Sequence, residues 1–314
     1  MKKKFLIATL VLCLCFPTLL SGCFAITAYN MVAETNSYDI KDDYDKIKID
    51  TLTANVTFTH SNTTESMVFC NEFKSQKHVV EVVDGTLTIT QEKNQEWYGQ
   101  VLDYTKSYIV IHLNKIQYDS LELLGVHTDV DLRNSFKFNN VNIETDSGNV
   151  KWCADVLDTL SIKTQSGNVE IDSACINYAS INNASGDVTL NDYTATSHTL
   201  VQIATGNLLV NTASLGLLNV KIETGDATIN DLISSDLIII TITTGNLSLC
   251  RSDANELLLT TTTGNIFASL LSNKKVTVQT DSGQISIPEN LEGDPCKAKT
   301  STGDITIEII SHVE

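Results

Sequence analysis

Thr164-Gln165-Ser166-Gly167-Asn168-Val169-Glu170-Ile171 is echoed one repeat later by Asn183-Ala184-Ser185-Gly186-Asp187-Val188-Thr189-Leu190. The glycine recurs at Gly148, Gly167, Gly186, Gly206, Gly225, Gly245, Gly264, Gly283 and Gly303, always 19 or 20 residues apart. Each follows Ser or Thr, and each precedes Asn, Asp or Gln. A period this short, held over so many units, marks a stacked repeat protein whose coils cannot fold alone.

The apolar residues around each glycine are spaced by two. Plus two from the glycine gives Val150, Val169, Val188 and Leu208 in the first four units; plus four gives Trp152, Ile171, Leu190 and Val210. Minus five gives Ile143, Ile162, Ile181 and Val201. This spacing means strand, not helix. From minus five to plus two the count is odd, so the in/out alternation breaks at the Ser/Thr-Gly-Asn/Asp tripeptide. The chain turns a corner there, with glycine free to take positive φ. Each coil therefore reads as strand, corner, strand and return loop, and equivalent strands of neighbouring coils pair in parallel. The fold class is all-β, a parallel β-solenoid with irregular N-terminal coils. At roughly 4.7 to 4.9 Å per coil the regular part is a rod about 40 Å long. The Asn/Asp column after the glycines is read as a hydrogen-bonding ladder, with a cation-binding column as the alternative. A calcium-binding nonapeptide repeat is absent, because the period differs and no Gly-Gly-x-Gly-x-Asp run occurs.

Five segments follow. Residues 1–22 open with Lys2, Lys3 and Lys4, run apolar from Phe5 to Leu20, and end in Ser21-Gly22 before Cys23. This is the form of a secretion signal, and its end resembles a bacterial lipobox. The resemblance implies cleavage between Gly22 and Cys23, lipidation of the Cys23 sulfur, and an extracytoplasmic domain held to the membrane by acyl chains. An uncleaved anchor helix is the alternative. Residues 23–43 are read as the lipidated N-terminus and a polar tether, 44–140 as the irregular part of the solenoid, 141–310 as its regular repeats and 311–314 as a tail. Within the irregular part, Asp129 stands where a corner glycine is expected.

Taking Lys2, Lys3 and Lys4 from the 21 basic side chains leaves 18 against 38 acidic ones, a mature net charge of about −20. That repels nucleic acid and anionic polymers, and leaves a protein or a neutral glycan at the envelope as partner.

The irregular opening strands, the segment Asp84-Gly85-Thr86-Leu87-Thr88-Ile89 and the Thr-x-Ser-Gly-Asn-Val units such as Thr164 to Val169 resemble the bacterial putative-adhesin family, a domain of unknown function on envelope proteins. The resemblance spans about residues 45–310. It implies a β-solenoid and a surface setting, and it carries over no catalytic residues.

Chemistry is sparse. The best acid pair, Glu170 with Asp172, lies beside Lys151 and reads as part of a surface ion pair. Arg133 and Arg251 are the only arginines. The histidines, His78 among them, fall at no metal-ligand spacing and are read as surface or edge residues; no metal or cofactor is expected. Cys70 is left unassigned. Trp97, Tyr98 and Tyr104 form a non-repeating aromatic loop, read either as a lid on the core or as a partner-contact patch. Ile307, in the last coil, is expected to lie on an open end of the stack that contacts a second copy or an envelope partner. The functional reading is a non-catalytic surface lipoprotein, an adhesin or envelope scaffold. The alternatives are a polysaccharide-active β-helix enzyme and an envelope-stress sensor that binds a membrane protein.

Overall fold

The computed structural model describes residues 33–73, 77–91, 107–133, 135–289 and 292–310. Every regular element among them is a strand. The middle of the chain contains β7 (Gln117–Leu132), β8 (Lys137–Ser147), β9 (Val150–Trp152), β10 (Asp155–Ser166), β11 (Val169–Asp172), β12 (Cys175–Ser185), β13 (Val188–Thr205), β14 (Leu208–Thr224) and β15 (Ala227–Thr244). Before them come β1 (Ala33–Ile40), β2 (Lys46–His60), β3 (Ser66–Phe73), β4 (His78–Val83), β5 (Thr86–Gln91) and β6 (Ser107–Leu113). After them come β16 (Leu247–Ser252), β17 (Glu256–Thr263), β18 (Ile266–Leu270), β19 (Lys274–Ser282), β20 (Ile285–Ser286), β21 (Asp294–Thr302) and β22 (Ile305–Ile309).

The middle coils stack in parallel and in register: Val169 faces Val150 and Val188, and Val188 in turn faces Leu208. The plus-two and plus-four columns and the minus-five column point inward and are buried, with Val188, Leu190 and Val201 all inaccessible. An aromatic file from Tyr44 through Tyr118 and Phe138 to Trp152, with ring centroids 5.7 to 6.0 Å apart, fills the core of the first coils.

The corner does what its sequence requires. Gly225 has φ near 141° and donates its N–H to Thr244 O at 2.9 Å. A Cβ there would overlap the carbonyl oxygen of Gly206 in the coil below, so only glycine lets the rungs approach. The next residue builds the expected ladder, in a specific form. Each Asn or Asp side chain accepts a bond from the backbone N–H of its counterpart in the next coil, as in Asn168 N–H to Asn149 Oδ1 and Asn207 N–H to Asp187 Oδ1 at 2.8 to 2.9 Å. One acceptor oxygen suffices, which explains why Asn and Asp interchange. A true amide ladder runs elsewhere, at plus five, through Asp172, Asn191, Asn211 and Asn230.

Three expectations need correction. The return loop is mostly strand: β13 runs unbroken from one glycine corner to the next. It bends at plus six, where Ser173, Asp192, Thr212, Asp231 and Arg251 all have left-handed φ between 46° and 56°. The difference between 19- and 20-residue units is absorbed further on, where two residues separate Ala195 from His198 but only one separates Leu215 from Leu217. Asp129 is not a glycine substitute: it pairs with the Asn149 position, and Thr128 fills the glycine slot. The tether reading fails for residues 33–40, which form β1, paired antiparallel with β3. Of its inward residues Ile40 joins the core and Tyr38 packs against it, but Asn36 bonds to Glu72 and the Tyr38 hydroxyl to His78 O, so the strand shows only a weak hydropathy alternation.

The order of coils in space is not the order in sequence. β21 lies between β17 and β19, and β22 between β18 and β20. The last coil of the chain is thus inserted one rung inside, and the Gly283 coil forms the end. The N-terminal end is built the same way: β2 lies between β7 on one side and β5 and β6 on the other. Both terminal coils of the chain are locked between neighbours. At the N-terminal end the outer strands are covered, β5 by β4 and β6 by β3, each antiparallel.

Candidate functional site

Among the described residues the C-terminal end has no such cover: β19 pairs only with β21, and β20 only with β22, so the outer backbone edge of the Gly283 coil is bare. Ile285 and Ile287, at the plus-two and plus-four positions that are buried elsewhere, are 47% and 36% exposed. Ile307, expected on this end, is buried instead, because its coil is sandwiched between Ala268 on one side and the Gly283 coil on the other. The end coil is pinned by Lys274, a buried ammonium that reaches Asp253 Oδ1 at 2.6 Å and donates to Ala254 O at 2.7 Å. Along β19 the outward positions are Lys275, Thr277, Gln279 and Asp281.

The second site is a polar nest under the N-terminal cover. Glu72, on β3, is buried; its Oε1 accepts from Asn36 Nδ2 at 2.8 Å and its Oε2 from the His78 backbone N–H at 2.9 Å. His78, the first residue of β4, places Nδ1 2.7 Å from the same Oε2 and Nε2 2.9 Å from Thr51 Oγ1. Thr51 donates to Gln91 Oε1, which also accepts from Leu52 N–H at 2.6 Å. Cys70, two residues before Glu72 on the same strand face, is inaccessible, and burial first, then the Glu72 charge, pushes its thiol pKa up to about 12. Ligand atoms of Cys70, Glu72 and His78 all lie within 4.8 Å of one another, the one such group of three among the described residues. His78 is therefore neither surface nor edge. The sequence signal was Cys70 and Glu72 at i and i+2 on a strand, which share a face; the histidine joins them only through the antiparallel cover.

The remaining expected residues divide cleanly. The glycine corners are structural. Glu170 meets Lys151 at 3.6 Å with both side chains about two-fifths exposed, and Asp172 Oδ1 accepts from Asn191 Nδ2 at 2.6 Å. Neither carboxylate is left free to converge on a substrate. Cys153, Cys175, Cys250 and Cys296 are free thiols, as is Cys70. Gly22 and Cys23, the aromatic loop of Trp97, Tyr98 and Tyr104, and the tail 311–314 lie outside the described residues.

An all-β stack of parallel coils with glycine corners, folded back at both ends, defines a β-solenoid domain. The family model Toastrack DUF4097 matches residues 44–216 and 210–313, and the chain belongs to that family. Solved structures of similar form include a putative adhesin from Bacteroides fragilis NCTC 9343, at 17% identity and TM-score 0.42 over 90% of this chain and 99% of that one. Another is a putative lipid binding protein from Parabacteroides distasonis ATCC 8503, at 14% identity and TM-score 0.45 over 90% and 98%. No curated protein matches.

Proposed function

We propose that the chain is a non-catalytic envelope scaffold of the adhesin type, held to the outer side of the membrane through a lipidated Cys23, and that it joins a second copy of itself end to end. The observation that carries this reading is the bare edge of β19 beside exposed Ile285 and Ile287. Unpaired edges are normally covered or blunted, and this protein covers its other end with antiparallel strands of its own chain. A two-fold axis through Val278 would supply the missing strand in the same antiparallel sense. It sets Lys275 opposite the second copy's Asp281, twice, and Thr277 opposite Gln279, so the outward charges are complementary. The polysaccharide-enzyme alternative finds no support in Glu170 and Asp172, whose partners are already on the surface beside them.

Light scattering on the chain from residue 24 onward is expected to show a concentration-dependent dimer. Lys275→Glu should weaken it about tenfold, in line with loss of about one to two kcal/mol of cross-strand pairing, and adding Asp281→Lys to that variant should restore it. A strictly monomeric chain, or a dimer indifferent to both changes, would sink the end-to-end reading. The anchor is tested separately. Metabolic labelling with a fatty-acid analogue should mark the wild type and leave Cys23→Ala unlabelled; equal labelling of the two removes the lipobox.

A further inference from the structure

We propose that Cys70, Glu72 and His78 bind a divalent metal ion of the zinc class, which staples β3 to β4 and holds the N-terminal cover in place. Ligand atoms of Cys70, Glu72 and His78 lie within 4.8 Å of one another, and all three residues are buried. His78 Nδ1 stands 2.7 Å from Glu72 Oε2, and its Nε2 2.9 Å from Thr51 Oγ1. A proton between Nδ1 and Oε2 makes an ordinary hydrogen bond there, and a metal ion would take its place.

A proton would engage only two of the three groups. Cys70 adds a third donor, and its thiol gives the cluster one sulfur, one nitrogen and one oxygen. That mixture suits a borderline ion such as Zn²⁺ and does not suit Ca²⁺ or Mg²⁺, which take oxygen ligands. Bonds of roughly 2.0 to 2.3 Å put tetrahedral ligands roughly 3.3 to 3.8 Å apart, so the Nδ1–Oε2 pair, at 2.7 Å, would open by roughly half an ångström, and a pair near the 4.8 Å limit would draw together by up to about 1 Å, to hold an ion. Charge favours it as well. A dication with one thiolate and one carboxylate leaves no net charge in a site where all three residues are buried, and the protons displaced from the thiol and from the His78–Glu72 contact leave to solvent. The outer contacts are those of a metal site: Thr51 orients the imidazole through Nε2, and Asn36 from β1 orients the carboxylate. Burial of all three donors marks the role as structural. The ion would tie the end of β3 to the start of β4, with β1 laid over it, so the strand nearest the membrane anchor is fastened by the same site.

The test uses the intact chain, stripped with a chelator and titrated with Co²⁺ and then Zn²⁺. One equivalent of Co²⁺ should bind and give a near-ultraviolet thiolate-to-cobalt charge-transfer band, which Zn²⁺ displaces. Cys70→Ser should abolish the band and His78→Gln should weaken binding at least tenfold, whereas Cys175→Ser, at an exposed thiol, should leave both unchanged. The thermal midpoint of the stripped wild type should rise on adding Zn²⁺, and that of Cys70→Ser should not. Absence of the band in the wild type, or its survival in Cys70→Ser, overturns the proposal. Should Cys70→Ser fail to fold, the His78→Gln titration decides alone: wild-type affinity there is equally fatal.

Discussion

Gly225→Ala is expected to destabilise the stack by about 3 to 5 kcal/mol, whereas Gly85→Ala costs about 1. Both glycines have positive φ, 141° and 72°, and the two sites differ in what surrounds them. At Gly85, in the tight turn that joins β4 to β5, an added Cβ meets nothing within 4 Å, so the cost is the turn strain alone. At Gly225 the Cβ overlaps the backbone carbonyl of Gly206, which cannot rotate away as a side chain could. Relief would require lifting the Gly225 rung off the Gly206 rung and losing the bond from Gly206 N–H to Thr224 O. Thermal unfolding followed by circular dichroism separates the cases. Since each coil touches only its neighbours, Gly225→Ala should also split the transition, the halves on either side of the lesion melting apart. Equal midpoints for the two variants would mean that the corner does not hold the rungs at contact distance.

The repeat itself was legible because it obeys two simple periods: two residues within a strand, and 19 or 20 between glycines. The in/out assignment of every regular coil follows from them. The order of the coils does not, since any coil with the same columns can stack on any other. One residue carried the missing information. Gln284 is the one member of its column that is neither Asn nor Asp, and its coil is the outermost, where no further N–H needs its side chain. Ile307 was placed on the end by counting coils along the chain, when the end is set by hydrogen bonding across it.

The polar nest was hidden for a different reason. Asn36, Thr51, Glu72, His78 and Gln91 come from five strands, and the antiparallel pairings that gather them follow no repeat. Their alternation is also polar: β1 turns Asn36 and Tyr38 inward over groups that need hydrogen bonds, so a search for buried apolar residues passes over it. Patterns of hydropathy find cores. A buried polar network becomes visible only when the partners of each donor and acceptor are counted.

Val188→Asp should destabilise the domain by about 4 kcal/mol or more, and Thr189→Asp by less than about 1. The two positions are adjacent in sequence and opposite in environment. Val188 is fully buried between Val169 and Leu208 of the neighbouring coils, with no basic side chain in its column to pair with a carboxylate. An aspartate there must either carry an unpaired charge into the core or take up a proton, and both are costly. Thr189 points outward between Glu170 and Leu209. A second acid beside Glu170 adds a like-charge contact in water, which Lys151 already offsets in part. The pH dependence separates burial from simple repulsion. Burial would raise the pKa of the carboxyl introduced by Val188→Asp, so the loss in that variant should shrink as pH falls towards the range where the group is protonated in both states, and grow again above it. Thr189→Asp should show little of this. Melts of both variants at neutral and at mildly acidic pH decide the matter: a larger loss for Thr189→Asp would mean that the strand register is shifted by one residue, with every side chain of the coil on the wrong face, and equal losses would mean that neither position is sealed from water.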